Sequence, residues 1–373
     1  MNIDMIARHA RNAVMGAALV CALATAAAAK GASEDATSFL VNPAHDGNVD
    51  FAAGFSAPLV KAWTYDTGGT VSYPLIAHGA LYVVSNGNNV FAINLADGKK
   101  LWQHQLGSGI NLGAYDGGRL FYWSGSQLVA LKAKNGNQLW PAGDAAVTAP
   151  IADNSTAPIA VDGAVYFGAF GVSAFDEKTG ALKWSHTIDA TDSQVAFGDK
   201  GVYAGGPTQY YKFATKDGTL LWQDSGCCEG GGGIAVTYFD KRAYLVDWSA
   251  GDFVLDAKDG STAGSFAGAV PPTFFSIGKR NFALEISSGK LFCLDVKTGN
   301  VAWTFAGADP SVQPLIINGQ PVVSVGTSVA MLDGATGAQL WTGNVGSQIL
   351  SMNAGDGTLA VTTGSKVTAY VPQ

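Results

Sequence analysis

Short runs in which apolar and polar residues alternate recur along most of this chain, each preceded by a tight-turn sequence. Eight such runs are LYVVS, LFYWS, VYFGA, VYAGG, AYLVD, FALEI, PVVSV and LAVTT. Alternation of this kind is typical of half-buried β-strands. The turns include His78-Gly79, Asp116-Gly117 and Asp356-Gly357, and aspartate, asparagine and glycine readily supply the positive φ angles of tight hairpins. The pattern predicts a series of β-hairpins.

A second pattern shows that these hairpins belong to a longer repeat. A glycine is followed four residues later by tryptophan in AINLADGKKLW, in CLDVKTGNVAW and in similar phrases. The tryptophans are Trp102, Trp140, Trp184, Trp222, Trp303 and Trp341, and the fifth of seven copies has Gly264 instead. Trp63 precedes Trp102 by 39 residues without the glycine turn, and successive spacings run from 38 to 44 residues. A period of about forty residues indicates a repeat fold.

Each period contains four predicted strands, and the tryptophan lies on the fourth. Four antiparallel strands per period are typical of a β-propeller blade. The segment around Trp63 resembles a fourth strand without a blade, and residues 366–371 resemble a third strand without a partner. Pairing these two segments would close the ring and remove its free sheet edges. We therefore predict an all-β, eight-bladed propeller over residues 58–373, with a lead-in segment over residues 30–57.

The first 29 residues have the composition of a secretory signal. Arg8 and Arg11 precede an apolar, alanine-rich run that ends in small residues, with expected cleavage after Ala28 or Ala29. The apolar run is too short for a membrane span, and the residues before Cys21 fit a lipid-attachment pattern poorly. We expect a periplasmic or secreted protein. The whole chain has a formal charge of −7, which argues against nucleic acid as a partner.

The tryptophan phrase resembles the docking motif of the pyrroloquinoline quinone (PQQ) propeller superfamily. VNPAHDG at residues 41–47 is similar to the lead-in of many members, and the resemblance covers nearly all of the chain after the signal. It implies the fold and leaves the activity open, because the superfamily includes both quinoprotein dehydrogenases and scaffold propellers such as BamB. The indoles would then tie each blade to the next: Trp63, Trp102, Trp140, Trp184, Trp222, Trp303 and Trp341.

Two adjacent cysteines are the strongest sign of a redox site. Cys227 and Cys228 follow Trp222 by five and six residues, which predicts that they lie on a channel rim. The resemblance implies that such a pair forms a vicinal disulfide against one face of a quinone, with an indole such as Trp248 on the other face. The alternative for Trp248 is that it covers the blade whose outer strand has Gly264.

Carboxylates that could serve a quinone site are harder to identify. Glu285 replaces an apolar or small residue of the other second strands, so we expect it to be at least half buried, either as a base or metal ligand or as the partner of a basic residue. Asp247 is a further candidate ligand or base. The four histidines after the signal share no close spacing, which argues against a zinc site or a histidine-based triad. Cys293 is expected to be a small buried apolar residue.

Two functions are compatible with the sequence. The leading hypothesis is an exported scaffold without catalysis or cofactor that binds a protein or peptide of the cell envelope, because most rim connections are short and no catalytic set is assembled. The alternative is a small dehydrogenase that uses PQQ and Ca²⁺ to oxidise an alcohol or sugar. Cys227, Cys228 and Trp248 would then hold the quinone, and Glu285 or Asp247 would act as ligand or base.

Overall fold

The computed structural model describes residues 34–107, 113–124, 127–140, 156–168, 171–188, 194–205, 209–224, 234–247, 251–266 and 270–373. Within these ranges the chain forms 33 β-strands and no helix. The signal sequence expected over residues 1–29 lies outside them. The chain begins with two strands that precede the first blade: β1 (Asn48–Val49) and β2 (Leu59–Asp66).

The next sixteen strands form four sheets. Blade one contains β3 (Leu75–Ala77), β4 (Ala80–Ser85), β5 (Asn89–Asn94) and β6 (Lys100–Gln105). Blade two contains β7 (Gly113–Asp116), β8 (Arg119–Ser124), β9 (Gln127–Lys132) and β10 (Gln138–Trp140). Blade three contains β11 (Ile159–Val161), β12 (Ala164–Gly168), β13 (Gly171–Asp176) and β14 (Leu182–Thr187). Blade four contains β15 (Val195–Gly198), β16 (Gly201–Gly205), β17 (Tyr210–Ala214) and β18 (Leu220–Asp224).

The remaining strands form the other four sheets. Blade five contains β19 (Ile234–Phe239), β20 (Arg242–Asp247), β21 (Gly251–Asp256) and β22 (Thr262–Ser265). Blade six contains β23 (Thr273–Ile277), β24 (Arg280–Ser287), β25 (Lys290–Asp295) and β26 (Val301–Ala306). Blade seven contains β27 (Leu315–Ile317), β28 (Gln320–Val325), β29 (Ser328–Leu332) and β30 (Gln339–Asn344). Blade eight contains β31 (Ser351–Gly355), β32 (Thr358–Thr363), β33 (Lys366–Pro372) and β2.

The predicted eight-bladed ring is confirmed, including its closure. β2 pairs antiparallel with β33 along its whole length, from Leu59 opposite Pro372 to Asp66 opposite Lys366. Burial falls from the first strand of a blade to the fourth: β3 and β27 are fully buried, whereas β6 and β30 alternate between exposed and half-buried residues. The first strands therefore line the channel and the fourth strands form the outer surface.

The hairpin turns lie where the sequence predicts them, with one exception. The turn of blade two uses Gly117 and Gly118, which have φ angles of 51° and 80°. The predicted Asp116-Gly117 pair is wrong by one position, since Asp116 is the last residue of β7. Two consecutive glycines occupy the two left-handed positions without steric cost, so the strand extends one residue further.

The space between blades is filled by apolar side chains from the facing sheets, and eight separate clusters correspond to the eight interfaces. Cys293, as expected, is fully buried in the cluster between blades six and seven, where burial raises the pKa of its thiol to about 12. Among the described residues, the interface of blades five and six has the smallest cluster, with Tyr244, Val254, Phe274 and Ala283 fully buried. The interface of blades four and five has nine such residues.

The lead-in segment crosses the ring at the end of the channel where the first hairpin turns lie. Its carbonyls accept backbone hydrogen bonds from six of the eight first strands and from the turn that follows β31: Glu34 from Asp356 in that turn, Ala36 from Ile76, Thr37 from Tyr115, Pro43 from Phe197, Ala44 from Tyr238, Asp46 from Phe274, and Gly47 from Ile316. β1 adds to β27 as a parallel fifth strand. The lead-in therefore closes this end of the channel and joins blades that are far apart in sequence.

Among the described residues of the lead-in, His45 is the most deeply buried titratable group. Its side chain is 1% exposed, and Nδ1 lies 3.3 Å from the carbonyl oxygen of Val236. Burial lowers its pKa from 6.5 to about 4, because the ring cannot be hydrated when charged. The neighbouring Asp46 accepts hydrogen bonds from Asn42 and Asn48, and its loss of water contact raises its pKa to about 6.

We predict that His45 makes the fold less stable in acid. Between pH 6.5 and pH 4 the unfolded chain takes up a proton at His45 and the folded chain does not, so stability falls as the pH falls. The free energy of unfolding of the wild type, measured relative to a His45→Gln variant by urea denaturation, should decrease by about 3 kcal/mol over this interval.

Asp46 changes the free energy of unfolding in the opposite direction with pH. Its raised pKa stabilises the fold at low pH, and this contribution is lost as the pH rises through about 6. Asp46 is present in both the wild type and His45→Gln, so its contribution cancels when their free energies of unfolding are subtracted. His104→Gln, on the outer strand of blade one, is the matched control. If the free energies of unfolding of the wild type and of His45→Gln differ by the same amount at every pH, His45 is charged or hydrated in the fold.

Candidate functional site

Three residues of the predicted quinone site lie outside the described residues. Cys227 and Cys228 belong to the connection between β18 and β19, and Trp248 belongs to the connection between β20 and β21. Asp247 is the last residue of β20, where its backbone is opposite Ile234 and Gly251. The sandwich of Cys227, Cys228 and Trp248 around a quinone stays a prediction.

Glu285 is buried, as predicted from its position in a second strand. It lies on β24 opposite Phe292, and its side chain is 7% exposed. Tyr244 of blade five lies close enough for the two groups to interact: burial raises the pKa of Tyr244 to about 12, and the carboxylates of Asp240 and Glu285 contribute to the rise. Glu285 therefore faces the interface of blades five and six.

Trp123, the other tryptophan outside the docking positions, is part of a blade interface. Its ring stacks on Phe167 with a centroid separation of 4.6 Å and an interplanar angle of 13°. It is 4% exposed, so it fills the space between blades two and three.

The indoles of the repeat make the same two contacts at six of the eight interfaces. Each indole N–H donates to a backbone carbonyl in the turn between the third and fourth strands of the next blade. These bonds join Trp63 to Leu95 (2.7 Å), Trp102 to Ala133 (2.9 Å), Trp140 to Glu177 (3.4 Å), Trp184 to Thr215 (3.2 Å), Trp222 to Ala257 (3.1 Å) and Trp303 to Gly334 (2.8 Å).

The second contact is between the indole face and the glycine three residues after that carbonyl. A methyl group at Gly98, at Gly260 or at Gly337 would lie 2.7, 2.7 and 2.5 Å from an indole carbon, which is too close for any residue except glycine. Trp341 has no such turn to reach, because the outer strand of blade eight comes from the N-terminal end of the ring; its ring packs edge-on against Tyr370, 5.3 Å between centroids.

The interface of blades five and six has no indole on the outer strand, and a cleft of about 920 Å³ opens there. Gly264 stands on β22 at the position that tryptophan occupies elsewhere. Tyr244, Val254, Phe266 and Phe274 form the apolar part of the cleft wall. The missing tryptophan is the sequence signal for this recess, but the repeat pattern alone does not predict an opening.

Charged groups from both blades surround the apolar part of the cleft. The cations are Lys241, Arg242, Lys279, Arg280 and Lys297, and the anions are Asp240, Asp256, Glu285 and Asp295. Arg280 binds Asp295, with Nη2 2.8 Å and Nε 2.9 Å from Oδ2, and this pairing lowers the pKa of Asp295. The rim is therefore mixed in charge, with an excess of one cation.

The described residues assemble no group of three or more histidine, cysteine, aspartate or glutamate side chains that could hold a metal ion. The side chain of Asp247 lies outside the described part, and the Ca²⁺ site stays a prediction. No helix in the described ranges is both long and apolar enough to cross a membrane.

Comparison with known proteins gives relatives of several activities. The chain is 27% identical over 220 residues to the tetrathionate hydrolase of Acidithiobacillus ferrooxidans. It is 32% identical over 155 residues to the dehydrogenase subunit of the quinone alcohol dehydrogenase of Acetobacter aceti, and 28% identical over 117 residues to the outer membrane protein assembly factor BamB of Yersinia pestis. These matches cover 49, 34 and 31% of this chain but only 43, 21 and 26% of the relatives, so the chain spans less than half the length of each.

Solved structures share the fold at low identity. The quinohemoprotein alcohol dehydrogenase of Comamonas testosteroni superposes with a TM-score of 0.68 at 14% identity, over 91% of this chain and 80% of that chain. BamB of Moraxella catarrhalis superposes with a TM-score of 0.65 at 15% identity, over 84% of this chain and 100% of that chain.

A family profile described as outer membrane protein assembly factor BamB matches three overlapping stretches, residues 43–171, 169–303 and 276–373. Together they run from the lead-in to the C-terminus. The chain is a member of this family of PQQ-like propellers.

Proposed function

We propose that the protein is an exported scaffold that binds a protein partner in the cell envelope. The observation that carries the proposal is the cleft between blades five and six, a formed recess with an apolar wall and a charged rim. Recesses of this kind accept the side chains of a partner protein. The family match supports the proposal, because its description is that of an outer membrane assembly factor.

An envelope location is part of this proposal. The sequence of residues 1–29 has the composition of a cleavable export signal. One relative is described as an outer membrane protein assembly factor, which is consistent with a partner in that compartment. The partner we expect is a protein or peptide and not nucleic acid.

We predict that a photo-cross-linking amino acid at Ala263, on β22 beside the cleft, captures an envelope protein in the living host. Ala302 is the matched control: it is also exposed and comes one residue before the docking position of its outer strand, but that position holds Trp303. The expected result is a discrete adduct from position 263, identified by mass spectrometry, and none from position 302. Identical adduct patterns at both positions, or none at either, would contradict a scaffold that binds through this cleft.

A second candidate is a PQQ- and Ca²⁺-dependent dehydrogenase that oxidises an alcohol or sugar. The match to the Acetobacter aceti enzyme favours it, as does the Cys227-Cys228 pair on the connection that follows blade four. Cys227, Cys228 and Trp248 would hold the quinone, which would supply the two-electron oxidation, and Glu285 or Asp247 would act as base or metal ligand. Glu285 is buried, with 7% of its side chain exposed.

Titration with PQQ in the presence of Ca²⁺ separates the two candidates. A ligand at a hundred times its Kd stabilises a fold by about 2.7 kcal/mol, which is easily seen as a rise in melting temperature. The scaffold proposal predicts no shift, either in the wild type or in a Cys227→Ser/Cys228→Ser variant. A saturable shift in the wild type that the double variant loses would replace the scaffold with the dehydrogenase.

A further inference from the structure

The turn of blade six that faces the cleft is built like the turns that hold an indole elsewhere. Gly299 has a φ angle of 69° and donates to the carbonyl of Asp295 at 2.8 Å; the occupied turn of blade five has Gly260 at 77°, donating to Asp256 at 2.9 Å. Val296 donates to Asn281 at 2.9 Å, as Ala257 donates to Lys241 at 2.9 Å. The receiving half of the docking contact is therefore complete at this interface.

The donating half is missing. A methyl group added at Gly299 would meet nothing within 4 Å, whereas one at Gly260 would lie 2.7 Å from the indole of Trp222. In the described part of the chain, no indole reaches the carbonyl of Val296, which is the counterpart of Ala257. The slot between blades five and six thus presents an open glycine face and a carbonyl acceptor to the cleft.

The surroundings of the slot suit an aromatic side chain carried by an acidic segment. Tyr244, Phe266 and Phe274 form an aromatic wall, with Tyr244 and Phe274 at 4.5 Å between centroids. Within the described residues, Lys279 and Lys297 on the rim have no ion-pair partner. At about 920 Å³ the cleft has room for more than one ring, and all four residues of β22 beside it are exposed.

We propose that this slot is an indole-docking site for a partner. A tryptophan of an extended, acidic partner segment would place its ring on Gly299, as the chain's own tryptophans do at six interfaces, and would donate its N–H to the carbonyl of Val296. Lys279 and Lys297 would bind the flanking carboxylates of the segment. This inference rests on the proposed scaffold function and specifies the chemistry of its partner.

The test uses a five-residue peptide with a central fluorotryptophan between acidic residues, followed by ¹⁹F NMR with the full-length protein after signal removal. We expect saturable binding to the wild type. Gly299→Ala places a methyl group where the indole face would lie and should weaken binding at least about tenfold. Gly319→Ala is the matched control, since Gly319 also has a positive φ angle, 72°, with open space around it and no slot; its affinity should be unchanged.

A second probe tests the hydrogen bond. The same peptide with 1-methyltryptophan cannot donate to Val296 and should bind several-fold more weakly than the parent peptide. Absence of binding to the wild type, or equal binding to the wild type and to Gly299→Ala, would overturn the proposal. Binding that is seen only in a Trp248→Phe variant would also overturn it, because the slot would then belong to this chain's own indole.

The two proposals fail separately. If the peptide binds as expected but cross-linking at Ala263 yields no envelope protein, the docking site stands and the scaffold function is wrong. If a partner is captured at Ala263 but the peptide does not bind, the scaffold function stands and the indole site is wrong.

Discussion

The hydrogen bond from an indole N–H to a carbonyl of the next blade is the interaction on which the order of this ring depends. Apolar contact between blades is non-directional, so it can hold two sheets together without setting their angle. An indole that must satisfy its N–H at one carbonyl and lie flat on one glycine fixes both the distance and the rotation between blades. Six interfaces repeat this contact, and the smallest described core lies where the outer-strand tryptophan is missing.

Two other devices complete the ring. The seam is closed by β2 and β33, which come from opposite ends of the chain and share seven paired positions, so blade eight forms only when both ends are in place. The lead-in crosses the channel and bonds to first strands on nearly every side. With that end of the channel occupied, the opposite rim and the blade surfaces are left for binding. The cleft of blades five and six, about 920 Å³ in volume, is a recess on these blade surfaces.

Much of the fold could be predicted because its determinants are local and repeated. Three signals recur in nearly every blade: a turn pair such as Asn318-Gly319, an alternating strand, and a tryptophan four residues after a glycine. The path of the lead-in was not predictable, because it bonds through backbone groups that any sequence would supply. The burial of Glu285 followed from its position on a second strand. The cleft could not be predicted for a different reason. In the sequence, Gly264 is only a position where the tryptophan of the repeat is missing. The structure shows that the turn at Gly299 still has the backbone conformation of the turns that bind an indole.

The crystal structure of a Gly264→Trp variant would show whether a preformed indole slot stands open between blades five and six. We expect the new indole to lie on Gly299 with its N–H within hydrogen-bond distance of the carbonyl of Val296, matching the contact at six of the other interfaces. An indole turned away from the cleft, with the turn at Gly299 unchanged, would contradict it.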